Sequence, residues 1–479
     1  MNFKMIKYTL GWLMLFETAF LLIPLLTSLI CRDGATISIL LSMAITAAVA
    51  GLLLIGKPKN RKLYTKDGFV IVSLSWIFLS VFGAFPFVIS GEIPNFVDAL
   101  FETASGFSTT GASILSDVEA LPKSLLMWRS FTHWVGGMGV LVFIMAFIPL
   151  SGARNLHIMK AESPGPEVSK LVPKMRTTAM ILYTIYLVLT IIQFIFLLFG
   201  GMSLFDALNT AFATAGTGGF GFRNDSFASF SPYIQIVVTV FMLIFSINFN
   251  AYYLLFKGRI RDIFNKELRV FTYIVVIAIT ALTVNLLATG HMTNVGEAIR
   301  SAAFTLASLI STTGFSTADF NLWPTLSKCI LVFIMFIGAC AGSTGGGIKV
   351  SRIIILIKGM FKEFSHALNP RQVKKITIDS KPIDKEVVRS VNSYIVCYIF
   401  VFAVSLFLIS FEGHDLVTSF TAIVATINNI GPGLELVGPT GNYAFFSTPS
   451  KLVLIFDMLA GRLELLPMLL LFHPATWKK

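Results

Sequence analysis

The chain has 479 residues, of which 55% are hydrophobic and only 13% are charged, with a mean hydropathy of +0.80. Soluble domains usually carry about 25% charged residues, so this composition excludes a water-soluble globule and, with it, a soluble enzyme. The formal net charge of +12 could indicate nucleic-acid binding. Because the Lys and Arg residues alternate with apolar runs, however, we interpret the positive surplus as membrane topology.

Apolar runs of about 20 residues, long enough to cross a hydrocarbon core, recur along the chain. They predict an all-α polytopic membrane protein with about ten transmembrane helices. The first run follows two lysines, as a signal peptide would, but it is too long and has no small-residue cleavage site. It is therefore predicted to be a retained helix. The predicted spans are 8–31, 36–56, 69–90, 125–150, 178–200, 232–256, 269–290, 327–361, 391–411 and 451–473.

The loops between these runs differ in charge. Basic residues concentrate in the loops 57–66, 151–177, 257–268 and 362–390, whereas the intervening loops are mainly acidic. Basic loops of membrane proteins lie in the cytoplasm. The predicted location is therefore the cell inner (plasma) membrane, with several passes and both termini cytoplasmic.

An internal repeat occupies the loops on the other side. Four stretches align without a gap, and each opens with Asp, Ser or Thr, which can cap a helix, and closes thirteen positions later with Gly. This pattern predicts a half-length helix of about three turns and then an extended run, placed between two full spans. The stretches are 98–111, 206–219, 301–314 and 418–431.

Non-helical backbone at membrane depth is tolerated only where it is buried in protein or lines a water-filled cavity. Four such loops predict one common pore lined by carbonyl oxygens, which suits a dehydrating cation. The closing glycines fit this interpretation, since inward carbonyls need dihedrals that a Cβ disfavours. For any single Thr-Gly pair, an ordinary turn remains an alternative. The predicted filter residues, which would bind the ion, are Thr109, Thr110, Gly111, Thr217, Gly218, Gly219, Thr312, Thr313, Gly314, Asn429, Ile430 and Gly431.

The eighth predicted span is too long to be one helix. An unbroken helix over 328–361 would measure about 51 Å, so the small-residue run 338–347 is expected to interrupt it. That run is either a movable intramembrane loop or a place of close helix packing. Lys349 and Arg352 are expected where the chain re-emerges into the cytoplasm.

A charged residue also lies within the last predicted span. Arg462 needs a partner or a wet cavity, because an unpaired charge at this depth costs about 2.5–3.5 kcal/mol. It acts either as an electrostatic barrier beside the ion path or as one half of a salt bridge with Asp457 or Glu464. Arg129 and His133, one helical turn apart, are interpreted as structural. If the run is a movable loop and Arg462 is a barrier, the gate residues are Gly342, Ser343, Thr344, Gly345, Gly346, Gly347, Lys349 and Arg462.

Motifs spread over nearly the whole chain resemble the Trk/Ktr/HKT superfamily of potassium transporters, and specifically its TrkH-type membrane subunits. The two helices before residue 57 resemble the extra N-terminal pair of Trk proteins. The motifs are Ser108–Ser113, Trp128–Arg129, His133–Gly139, Thr217–Phe220, Ser311–Ser316, Asn429–Gly433 and Gly461–Glu464.

The resemblance implies four non-identical pore modules around one axis, a homodimer, and a cytosolic ring of nucleotide-binding regulatory subunits (TrkA-like). It further implies channel-like potassium uptake, with potassium bound at the filter residues and no organic cofactor. Gly111 favours potassium over sodium in this family. Gly218 and the pair Asn429-Ile430 depart from the Thr-rich pattern, so a sodium-permissive or ion-coupled cation transporter of the same fold is the alternative. The resemblance also places a movable intramembrane loop below the filter, with Arg462 against it.

Two other classes are disfavoured. An intramembrane enzyme needs a paired acid, base or metal site, but the six His residues are scattered and the four Cys residues have no zinc-ligand spacing. We therefore predict no catalytic residues. A secondary transporter with broken helices would have two inverted halves rather than four like repeats. The predicted units are an N-terminal pair at 1–60 and pore modules at 61–155, 156–260, 261–365 and 366–479.

Overall fold

The computed structural model describes residues 1–56, 58, 63–139, 175–371, 375–379 and 381–477. Within these residues the fold is predominantly helical, and six helices are long and apolar enough to cross a membrane. A seventh span is possible if the helices Pro232–Phe245 and Phe249–Phe256, bent by 90°, are counted as one. The six helices are Phe3–Cys31, Thr36–Leu54, Lys66–Ser90, Thr177–Phe199, Lys266–Ala288 and Lys385–Ser410.

The helices are numbered here in chain order. They are α1 (Phe3–Phe20), α2 (Leu22–Cys31), α3 (Thr36–Leu54), α4 (Thr65–Gly83), α5 (Phe85–Ser90), α6 (Phe96–Phe107), α7 (Lys123–Gly137), α8 (Met175–Phe199), α9 (Leu204–Ala215), α10 (Pro232–Phe245), α11 (Phe249–Phe256), α12 (Ile260–Ile263), α13 (Lys266–Ala288), α14 (Val295–Ile310), α15 (Thr325–Phe336), α16 (Val350–Leu368), α17 (Lys385–Ser410), α18 (Leu416–Ile427), α19 (Thr448–Arg462), α20 (Leu466–Phe472) and α21 (Pro474–Trp477). A short antiparallel pair, β1 (Thr377–Ile378) and β2 (Lys381–Pro382), precedes α17.

The six spanning helices correspond to six of the apolar runs in the sequence. The remaining four runs do not form single straight helices within the described residues. Two of them, 232–256 and 327–361, divide into α10 with α11 and into α15 with α16. The run 451–473 divides into α19 and α20, and the run 125–150 is described only as far as residue 139. Most of the basic loop 151–177 also lies outside the described residues.

Local sequence explains these breaks. The Asn248 side chain accepts a hydrogen bond from Asn250 N at 2.9 Å and so starts α11 as a new helix. After α19, Glu464 and Leu465 both have positive φ, and Pro467 then lies in the first turn of α20. Between α15 and α16 the glycine-rich residues 337–349 form no helix, which confirms the predicted interruption.

The N-terminal helices pack on the first predicted module. α1 contacts α3 and α4, and α2 contacts α7. The turn between α2 and α3 is fixed by Asp33, which accepts hydrogen bonds from Ser28 Oγ at 2.6 Å and Ser124 N at 2.7 Å. Partial burial raises the pKa of the Asp33 carboxyl, but these hydrogen bonds outweigh it and hold the pKa below its usual value.

Candidate functional site

Four short helices enter the fold between the longer ones. They are α6, α9, α14 and α18, and each occupies one of the four repeat stretches. The capping residues predicted from the sequence, Asp98, Asp206, Ser301 and Thr418, are wrong, because the helices begin earlier. A cap must offer its side-chain oxygen to the N–H two or three residues ahead, and the residues that do so are Asn95, Ser203, Asn294 and Asp415.

All four helices end in the same backbone turn. The second residue after each short helix is left-handed, and these residues are Thr109, Thr217, Thr312 and Asn429, with φ between 53° and 60°. The N–H of the residue that follows bonds back five positions to a helix carbonyl, at 2.8–2.9 Å in every case. A left-handed conformation is unusual for β-branched Thr, so three loops hold a strained residue at the same position.

The four loops contact one another in a closed cycle. A Cβ on Gly111 would strike the carbonyl oxygen of Gly218, and one on Gly219 would strike that of Thr313. In the same way Gly314 lies against the Ile430 oxygen, and Gly431 lies against the Thr110 oxygen, 2.7 Å from the position of a Cβ. All four glycines also have positive φ. We call residues 108–111, 216–219, 311–314 and 428–431 the loop ring.

The structure therefore brings all twelve predicted filter residues into one ring. The Thr, Asn and Ile side chains among them are fully buried. A cavity of about 240 Å³ opens on one side, and the four closing glycines all contribute to its wall. Apart from Arg129 on α7, the wall consists of residues at or after the closing glycine of a loop, so the cavity lies on the side toward which the chain leaves the ring.

A buried ion pair supports the first two loops. Arg129 contacts Glu102 at 2.7 Å and donates to the Gly221 carbonyl at 3.1 Å. The ring of His133 bonds through Nδ1 to Gly106 O at 2.7 Å and accepts at Nε2 from Phe220 N at 3.1 Å. Because Nε2 accepts, Nδ1 carries the proton. These contacts fit the structural role expected for Arg129 and His133.

The fourth loop is supported differently. Asn429 Nδ2 donates to Thr110 Oγ1 at 2.9 Å and to Met458 O at 2.8 Å, so it joins the fourth loop to the first. Tyr443 donates to the Gly431 carbonyl at 2.7 Å. Sequence reasoning missed Tyr443 and also Glu102, the partner of Arg129. An acid in the middle of a short helix, beyond the first turn that holds Asp98, was the signal that could have indicated Glu102.

The glycine segment, residues 337–349, lies against the other side of the ring. Its neck is closed by a hydrogen bond from Gly338 N to Ile348 O at 2.9 Å. At its tip, Gly346 N donates to Thr312 Oγ1 at 2.6 Å, and a Cβ on Gly345 would lie 2.8 Å from Ser311 O. These contacts involve residues that precede the ring glycines, so the segment and the 240 Å³ cavity lie on opposite sides of the ring.

Charged side chains hold this segment. Arg462 donates to Thr344 O at 2.8 Å and to the carbonyls of Gly136 and Gly137 at 2.5 and 2.6 Å. Lys349 donates to Gly345 O within the segment. One oxygen of Glu267 accepts from Ala341 N at 2.8 Å and from Ser351 N at 3.1 Å, on either side of the tip.

Two basic residues after the glycine segment are buried in the protein. Lys349 and Arg352, predicted to mark where the chain re-emerges into the cytoplasm, are only 1% and 5% exposed. They remain inside because the protein supplies partners: a carbonyl for Lys349 and the Glu464 carboxylate for Arg352. The other proposed partner of Arg462, Asp457, accepts instead from Ser405 Oγ at 2.8 Å.

Comparison with known proteins now places the chain. Residues 36–479 match the family described as TrkH, a cation transport protein. The chain belongs to this family. The Trk system potassium uptake protein TrkH of Escherichia coli K12 is 35% identical over the full length of both chains, and TrkG of the same organism is 32% identical over 99% of each. The crystal structure of the potassium transporter TrkH from Vibrio parahaemolyticus matches with a TM-score of 0.90 at 32% identity, covering both chains completely.

Membership of this family confirms several predictions. The resemblance to TrkH-type subunits is correct, and the chain is a multi-pass helical membrane protein of a transport family rather than an enzyme. The roles assigned to individual filter and gate residues stay predictions.

Proposed function

We propose that the chain takes up potassium through the loop ring, with the ring carbonyls replacing part of the hydration shell of the ion. The observation that carries the proposal is the closed cycle of four glycine loops, each of which follows a short helix and leaves it through the same backbone turn. The similarity to named potassium uptake proteins over the whole chain supports potassium as the ion. In this proposal about ten spans form four pore modules and an N-terminal pair.

We further propose that the glycine segment is the gate. It lies under the third and fourth loops, where it would obstruct an ion leaving the ring. Arg462 and Lys349 bring positive charge to the same place, and a cation meets an electrostatic barrier there. Opening requires the segment to withdraw from Thr312 and Arg462. A homodimer regulated by a cytosolic TrkA-like nucleotide-binding ring, in the inner membrane with both termini cytoplasmic, completes the proposal.

Ion flux into proteoliposomes holding the purified chain tests this function. Potassium, rubidium, sodium and lithium are compared at one fixed gradient. We expect potassium and rubidium to enter well ahead of sodium and lithium, and Gly111→Ser to reduce this preference. Equal entry of sodium would favour the sodium-permissive alternative, for which Gly218 and Asn429-Ile430 are the observed departures. Absence of flux both alone and with the regulatory ring would contradict the proposed pore.

A further inference from the structure

A second and larger cavity lies away from the loop ring. It has a volume of about 1210 Å³ and is formed by the end of α16, the residues around the β1–β2 pair, and the first turns of α17. Both positive and negative side chains line it. The cations are Lys362, Lys375, Lys385 and Arg389, and the acids are Glu363 and Asp384.

The side chains of three of these cations have no partner among the described residues. Lys362 lies 3.9 Å from Glu363, but the side chains of Lys375, Lys385 and Arg389 form no hydrogen bond or ion pair with any residue that the structure describes. The N-terminus of the 26-residue helix α17 lies at the same place, and Asp384 makes no side-chain capping bond there. Uncapped N–H groups at a helix N-terminus favour an anion. The charge at this end of the cavity is thus complementary to a phosphate.

The cavity continues along α17 to Val396 and Cys397, with Asn392 and Ser393 beside them. Its wall extends along α17 from Lys385 to Cys397, a distance of about 18 Å at 1.5 Å per residue. Since α17 is one of the six spanning helices, a wall of this length reaches the depth of lipid acyl chains. Val388 and Val396 lie along it, and Val396 is 68% exposed.

We propose that this cavity binds an anionic phospholipid, with the phosphate between Lys375, Lys385 and Arg389 and an acyl chain against Val388 and Val396. Basic pockets between spanning helices at the membrane surface suit such head groups. A free phosphate would leave the wall along α17 unused, and an acidic protein segment would not reach into the membrane along α17. The proposal is independent of potassium transport.

Lipid binding to the purified, delipidated chain tests this site. Native mass spectrometry measures the bound phosphatidylglycerol. Phosphatidylcholine, which carries no net charge, is the comparison lipid. We expect the triple variant Lys375→Gln, Lys385→Gln, Arg389→Gln to bind phosphatidylglycerol on the order of 100-fold more weakly, because each basic residue near the surface contributes about fivefold. Unchanged binding by the triple variant would overturn the proposal.

A matched variant controls for the loss of charge. Lys257→Gln, Arg259→Gln, Arg261→Gln removes three cations from another basic loop, and we expect it to bind phosphatidylglycerol as the unmodified chain does. An equal loss of phosphatidylglycerol binding in this control variant would mean that the basic surface attracts anionic lipid in general, and it would contradict a specific site. Displacement of the lipid by millimolar inorganic phosphate would mean a phosphate site and would contradict the lipid.

A single variant tests the end of the cavity at Val396 without touching the cations. Val396→Glu introduces a negative charge beside the acyl chain, and we expect it to weaken phosphatidylglycerol binding about tenfold or more. It also guards against a triple variant that fails to fold, which size-exclusion chromatography detects. If either variant changes the oligomeric state while still binding the lipid, the cavity is a contact between copies of the chain and the proposal is wrong.

Discussion

The loop ring and the glycine segment are both irregular backbone buried in the protein, yet their hydrogen bonds are satisfied in different ways. Each ring loop bonds back to its own short helix, as Thr110 N does to Ser105 O and Thr313 N to Ser308 O. The tip of the segment bonds instead to other elements: Cys340 N to Ser246 O, Gly346 N to Thr312 Oγ1. Because buried backbone groups must stay paired, the ring has a fixed geometry, whereas the segment can move if its neighbours release it.

This difference suits the two proposed roles. A filter must keep its carbonyls in place, and the local bonds from each loop to its own short helix do so together with fixed donors such as Tyr443. A gate must have a second arrangement of similar free energy. The segment has that option because its hydrogen bonds go to residues at the end of α10 and on α13 and α19. When the segment moves, those residues can form hydrogen bonds with water or with other protein groups instead.

The largest effect is expected from a Cβ within the ring. Gly219→Ala combines positive φ with a clash against Thr313 O, so we expect rubidium uptake into proteoliposomes to fall at least tenfold, since overpacking costs about 1–3 kcal/mol. Gly91→Ala is the control, because Gly91 has a similar φ of 81° but no atom within 4 Å. Equal loss of uptake in both variants would show that placing Ala at a positive φ causes the loss, and that contact between the loops does not.

A smaller effect is expected from releasing the segment. Arg462→Gln removes donors to Thr344, Gly136 and Gly137, and we expect uptake in the absence of any regulatory ring to rise about tenfold, because a hydrogen bond from a charged group contributes about 1.5–3 kcal/mol. Arg462→Lys keeps the charge but cannot span three carbonyls. It should show an intermediate rise. If uptake by the Arg462→Lys variant were as low as that of the unmodified chain, the positive charge alone would close the path.

Glu267 offers a milder way to loosen the same segment. Glu267→Ala removes the acceptor shared by Ala341 N and Ser351 N, so we expect a rise in uptake of about threefold to tenfold. Glu267→Gln retains an acceptor oxygen and should change uptake less. Glu297→Ala, an exposed acid in the first turn of α14, is the matched control. A response of the control equal to that of Glu267→Ala would exclude a specific role for Glu267.

The smallest effect concerns the cap of the fourth short helix, outside the spans. The hydrogen bonds from the Thr418 side chain and backbone hold the pKa of Asp415 below its usual 3.8. Since the folded pKa is the lower one, the stabilisation is complete above pH 3.8 and is lost as the pH falls through the folded value. We expect Asp415→Ala to lower thermal stability by about 1 kcal/mol at pH 7, and Asp415→Asn to lower it by only a few tenths.

Thermal unfolding of the purified chain in detergent measures this cap. The gap between the unmodified chain and Asp415→Ala should stay constant from pH 7 to pH 5 and narrow only below pH 3.8. A gap that closes already near pH 6 would mean that a group other than Asp415 controls the cap.

Much of the fold could be predicted from the sequence, because the lipid solvent imposes strong rules. Apolar runs give six of the spanning helices, and a helix of about 51 Å cannot fit in the bilayer, so the break between α15 and α16 follows. The four repeats predicted twelve filter residues, and all of them lie in the loop ring. The start of each short helix was missed, since Asn95, Ser203, Asn294 and Asp415 lie outside the aligned stretches.

Pairing between distant residues could not be predicted. Arg352 with Glu464, Arg129 with Glu102, and Asp98 with Lys451 at 2.6 Å join residues far apart in the chain. The sequence also gave no sign that Lys349 would be buried. Burial of a cation depends on which carbonyls and carboxylates the fold places around it, and no local pattern encodes that.

The sequence alone determined that this is a membrane protein with four like loops, because hydropathy and repeats are properties of each segment by itself. Only the tertiary structure decided that the loops form a closed ring, that residues 337–349 lie against it, and that Arg462 holds them there. The physical reason is the range of the interactions. Helix formation and turns depend on residues within about five positions, whereas the ring and the segment depend on carbonyls supplied from other modules.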